Sequence, residues 1–150
     1  MRHVKWLSRA FLPLIGVVAL TAQPPKIFKA RLSPVPLDVS MQATIAGSGS
    51  VSAVLTGTKL AVTGTFDGIK SPATIAQIHK SPVRGVRGPT VLDLAVAKTD
   101  AASGTLSGTF DLTAIQVADL EKGRLYVQLH SEKAPDGNLW GWLLPQENRR

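Results

Sequence analysis

The 150-residue chain contains no cysteine. That single absence removes disulfides, thiolate metal sites, iron–sulfur clusters and thiol nucleophiles. Long apolar runs are missing too. The longest, Phe11 to Leu20, spans about ten residues with Pro13 inside it, against the roughly 20 needed to cross a bilayer. Imidazoles are scarce: beyond His3 there are only His79 and His130, and beyond Met1 only Met41. No Gly-x-Ser-x-Gly elbow or oxyanion-hole glycine cluster is present, so Asp and Ser, though plentiful, form no recognisable nucleophile site, and no catalytic residue is assigned.

The first 22 residues read as an export signal. Arg2, Lys5 and Arg9 supply a basic start, Phe11 to Leu20 the apolar core, and Ala19 and Ala22 the small residues before Gln23. No cysteine follows to accept a lipid, and a lone Arg9 does not make a twin-arginine signal. Removal at Ala22 leaves 128 residues, enough for one domain with its own core. It also lowers the charge. The whole chain carries +7, but without those three cations fourteen Lys and Arg face ten Asp and Glu, giving +4. That is ordinary solubility charge rather than a nucleic-acid footprint. An exported chain without cysteine is expected to be a bacterial envelope protein, periplasmic or secreted, with no membrane span once matured.

After a lead-in at residues 23–26, short alternating runs are cut by Gly, Ser and Pro. Candidate strands are 27–32, 41–45, 51–55, 60–66, 74–79, 91–96, 105–110, 124–130 and 139–144. Such spacing predicts an all-β sandwich or barrel. One segment differs: Thr113, with Gln116 three residues on, forms a capping box, and Gly123 supplies the stop, predicting a short helix over 113–122. In it Ile115, Ala118 and Leu120 can share a side. Residues 146–150 form a polar tail. Two stretches echo each other, Val62-Thr63-Gly64-Thr65-Phe66-Asp67 and Leu106-Ser107-Gly108-Thr109-Phe110-Asp111.

A second echo carries the chemistry. Thr74-Ile75-Ala76-Gln77-Ile78-His79 and Leu125-Tyr126-Val127-Gln128-Leu129-His130 both end in Gln-x-His. Residues two apart on a strand share a face, so each segment places a Gln and a His together. Downstream, Trp140 and Trp142 share a face opposite Leu139, Gly141 and Leu143, a pair expected to plug the core.

The ordered landmarks resemble a CHRD domain, the module named for its repeats in chordin. They are Phe28-Lys29-Ala30-Arg31-Leu32-Ser33, Gly49-Ser50-Val51, Leu60 to Ile69, Ala76-Gln77-Ile78-His79, Ser103 to Phe110, Leu112-Thr113, Gly123 to His130, and Pro135 to Gly141. The resemblance implies a Greek-key β-sandwich or barrel, immunoglobulin-like or superoxide-dismutase-like in outline. It implies little about activity. This chain departs from the family where His-x-His is usual and Gln77-Ile78-His79 stands, and where an acidic, Pro-rich stretch is usual and Ser33 to Leu37 stands.

Two readings of the polar residues follow. In the first, the loops flanking His79 and His130 recognise a protein or envelope component, through Lys80, Arg84, Arg87, Gln128 and Asp136, with no cofactor and no nucleic acid. In the second, His79 and His130, with Gln77 beside them, hold copper or zinc. Two imidazoles fall short of the three or four ligands such a metal usually takes. The core is expected to contain Val62, Ile75, Val91, Phe110, Leu125, Val127 and Leu129.

Overall fold

A computed structural model of the chain describes residues 23–146. The export-signal reading of residues 1–22 and the tail from Glu147 lie outside the described residues. Nine strands and one helix make up an all-β fold: β1 (Lys26–Pro34), β2 (Ser48–Thr56), β3 (Lys59–Asp67), β4 (Ala73–Lys80), β5 (Thr90–Lys98), β6 (Gly104–Asp111), α1 (Ala114–Glu121), β7 (Leu125–Ser131), β8 (Ala134–Trp142) and β9 (Leu144–Pro145). The expected strand at 41–45 is instead a 3₁₀ turn, Ser40–Ala43. Asp38 explains it: its carboxylate accepts from the Met41 amide at 3.0 Å and the Ser40 hydroxyl at 2.6 Å, bonds that start a helical turn.

Every pairing is antiparallel, in the order β2-β3-β6-β5-β4-β7-β8-β1, and β1 returns to β2 to close an eight-stranded barrel. Two strands make the corners by pairing differently along their length. β1 pairs with β2 through Lys26–Leu32 and with β8 at Ser33 and Pro34. β5 pairs with β4 through its first half and with β6 through Ala95–Lys98. The barrel is thereby flattened into two curved walls with no long open edge. β9 lies against the start of β1, and the Gln146 amide donates to the Ile27 carbonyl at 2.8 Å.

The echoing segments of β3 and β6 prove to be partners. Val62 sits opposite Gly108 and Gly64 opposite Leu106; the space a side chain would take at Gly108 is filled by Phe110 and Leu94, and that at Gly64 by Val51. One continuous core fills the barrel, from Phe28, Leu32 and Val62 to Leu125, Val127 and Leu129. Val91 and Phe110 are only partly buried at its margin. Ile75, expected inside, is 50 % exposed. It has the parity of Gln77 and His79, and with Ala76 and Ile78 turned inward it must face out with them. In α1 the capping box forms as expected, and Leu120 is buried, but Ile115 is exposed. No helix among the described residues is long and apolar enough to cross a membrane.

Candidate functional site

Strand β7 is buried along its whole length. Its odd-numbered residues fill the core, so its even-numbered ones, Tyr126, Gln128 and His130, must be covered on the outer face. Register supplies the first neighbours: β4 sets His79 opposite Tyr126 and Gln77 opposite Gln128, while β8 sets Trp142 opposite Tyr126 and Trp140 opposite Gln128. The tryptophans therefore belong to this outer cluster and not to the barrel core, a correction to the expected plug. Trp140 is buried and Trp142 half-buried.

Tyr126 is the hub. Its ring stacks on His79 at 5.1 Å between centroids and on Trp140 at 5.5 Å, and lies tilted against Trp142 at 5.0 Å. His79 and His130 approach with ring centroids 6.4 Å apart. The Arg87 guanidinium caps Trp140, 5.2 Å from its ring centre.

The lid is residues 81–89, the loop between β4 and β5. Its ends are tied by Lys80 N–H to the Pro89 carbonyl at 2.9 Å and Ser81 N–H to the Arg124 carbonyl at 2.8 Å. The buried Ser81 hydroxyl bonds to the carbonyls of Val83 and Val86, holding the turn from within. Gly88 presses against the cluster: its N–H donates to the Tyr126 hydroxyl at 3.1 Å, and its carbonyl accepts from His79 Nδ1 at 3.0 Å. A Cβ at Gly88 would stand 1.7 Å from the Lys80 carbonyl oxygen, so no other residue fits this close approach. On the far side, His130 Nδ1 donates to the Pro135 carbonyl at 2.7 Å, and Gln128 Nε2 to the Asp136 carbonyl at 2.7 Å.

Those bonds fix the histidine tautomers. A backbone carbonyl only accepts, so Nδ1 is the protonated nitrogen in the neutral form of either ring, and Nε2 then keeps a free lone pair. Both Nε2 atoms are buried without a hydrogen-bond partner among the described residues. So are Gln128 Oε1 and the indole nitrogens of Trp140 and Trp142. Five such atoms on one small face contrast with the usual near-complete pairing of buried polar groups. Burial lowers the basicity of His79 below the ordinary imidazole range. The bond to Gly88 works in the opposite direction, and the charges of His130 and Arg87 add to the lowering.

The remaining candidates divide. Gln77 shares the face, but its amide is committed to β5, donating to Asp93 at 2.7 Å and accepting from the Thr90 hydroxyl at 3.3 Å. The glutamine between the imidazole-bearing positions is Gln128. Lys80 turns away to pair with buried Asp119 of α1 at 2.7 Å. Arg87 is tied to Trp140 and, at 3.4 Å, to the Asp136 carbonyl. Asp136 contributes that carbonyl rather than its carboxylate. Arg84 stands exposed, without an ion pair among the described residues. Sequence reasoning missed Tyr126, Trp140 and Trp142 as site residues. A simple Glu132-Lys133 turn would set Tyr126 opposite Leu139; a register shift between Leu129 and Ser131, which the sequence does not show, brings Trp140 and Trp142 to this face instead. No group of three or more His, Asp or Glu able to hold a metal occurs among the described residues.

A flattened antiparallel barrel with a loop-capped aromatic and imidazole face defines a small β-module. Residues 28–143 match the family model of the CHRD domain. The chain belongs to the CHRD-domain family. No curated protein and no solved structure matches it.

Proposed function

We propose that this CHRD barrel is an exported binding module of the bacterial envelope, recognising a partner protein or envelope component through the loops beside His79 and His130. The observation that carries this reading is the construction of the 81–89 loop. It is tied at both ends, from within by Ser81 and from below by Tyr126 and His79, yet it presents Val83 at 60 % and Val86 at 45 % exposure, with Arg84 between them. Rigid presentation of apolar and cationic side chains lowers the ordering cost of binding. An apolar tip flanking an exposed guanidinium suits a partner with an acidic rim around an apolar patch. Export, argued from the basic and apolar residues before Gln23, puts that partner outside the cytoplasm.

The test is a V83S/R84E/V86S variant, which alters the tip and leaves every tethering residue in place. Cross-linking and affinity capture from the native envelope should recover a partner with the unaltered protein and lose it with the variant, at unchanged melting temperature. Equal recovery by both proteins would sink the reading.

A further inference from the structure

Beneath the loop, the two imidazoles pose a separate question that does not depend on what docks above. His79 and His130 are more than nine-tenths buried, and each spends its only N–H on a backbone carbonyl. In the neutral form of each ring this leaves an Nε2 lone pair, buried and without a hydrogen-bond partner among the described residues. Neither ring is hydrogen-bonded to a carboxylate. Two free imidazole donors held from behind by carbonyls are how proteins orient histidine toward a metal.

With both Nε2 atoms turned to one ion, the separation of the rings discriminates among metals. A metal lies about 2.0 Å from an imidazole nitrogen, and that nitrogen about 1.2 Å from its ring centre, so each ring centre stands about 3.2 Å from the ion. Two rings at a tetrahedral angle would have centres about 5.2 Å apart, and two rings in line about 6.4 Å. The observed spacing is 6.4 Å. In-line coordination by two donors is the habit of monovalent d¹⁰ ions, copper(I) above all, whereas zinc takes four ligands in a tetrahedron. Charge points the same way. Arg87 stands near, over Trp140, and raises the cost of a second positive charge, and a monovalent ion loses less hydration on burial than a divalent one. Tyr126 stacks on His79 and covers one side of the pair, with Trp140 and Trp142 packed in turn against Tyr126.

We infer that His79 Nε2 and His130 Nε2 together form a two-coordinate site for copper(I), covered by the 81–89 loop. Gln128 Oε1, on the same strand and face two residues from His130, is a further oxygen donor left without a partner among the described residues. Gln77, bonded to Asp93 and Thr90, takes no part.

The experiment uses the protein purified as the cell matures it. Copper(I) is titrated anaerobically against a chromophoric chelator, beside zinc(II), for the parent and for the His79→Asn and His130→Asn variants. One equivalent of copper(I) is expected, with about 100-fold or greater loss of affinity in each variant and far weaker zinc binding. X-ray absorption should show two nitrogen neighbours in the first shell. Copper(I) binding that survives either substitution, or zinc binding of equal strength, overturns the inference. So does the absence of any binding, in which case ordered water satisfies the two nitrogens. Should the variants fail to fold, ¹⁵N spectra of the parent decide the matter with silver(I) as the probe. Both Nε2 resonances must move together on one equivalent, and unmoved resonances overturn the site.

Discussion

His79 shows how one side chain collects opposing demands. Burial against Tyr126 favours its neutral form, the Gly88 carbonyl favours its charged form, and His130 and Arg87, from β7 and the covering loop, oppose a charge. The net effect is a basicity below that of the unfolded chain. Below its unfolded value of about 6.5 the unfolded state takes up a proton that the folded state resists, so stability falls as pH drops from there toward the lower folded value. Above it this contribution is fully present. The metal-free protein should therefore melt at lower temperature at pH 5 than at pH 7.5, and His79→Asn should remove most of that slope. Asp38 and Asp100, held below the carboxylate range by local hydrogen bonds to side chains and backbone amides, act only at lower pH. Part of this was readable from residues alone. Gln77 with His79 and Gln128 with His130 share a face because strand period is two. Their approach was not readable, because it depends on which strands pair and on how the covering loop folds back.

At the scale of elements, local signals transmitted well where the chemistry was local. Thr113 and Gln116 exchange the two bonds of a capping box, at 3.2 and 2.9 Å, and Gly123 closes the helix with φ +65°. Thr113→Ala should cost about 1 kcal/mol in denaturant titration, and Thr113→Ser close to nothing. The helix matters beyond itself, since Asp119 ties it to Lys80 of β4. Signals failed where a neighbour decides. The run from Met41 to Ile45 has strand composition, yet the Asp38 carboxylate takes it into a 3₁₀ turn. Ile75 has core composition, yet its parity turns it out. Trp140 and Trp142 have the size of core plugs, but the inner positions of β8 belong to Leu139 and Gly141, so the indoles stack on Tyr126 outside. Composition says what a residue prefers, and register decides what it gets.

Across the whole molecule, the strand spacing and ordered landmarks were sufficient for an all-β Greek-key form. The corner strands β1 and β5, each serving two walls, were not visible because their division follows from closure of the barrel. Closure makes the core a single unit. Val127 lies fully buried at its centre, beside Leu125 and Leu129. Val127→Asp should leave no cooperatively melting protein by circular dichroism, since an unpaired buried charge outweighs the stability of a domain this size. A sharp melting transition in that variant would place β7 wrongly. The pairing of β9 with the start of β1 has a mechanical consequence. The described chain enters and leaves at one end of the barrel, side by side. A tension pulling those ends apart loads the rungs one after another, as a zip opens, instead of shearing them all at once. β9 yields first and gently, while β2 still clamps β1 and the walls stay shut. Stretched between two anchors, the molecule gives a short length of slack before it surrenders its shape.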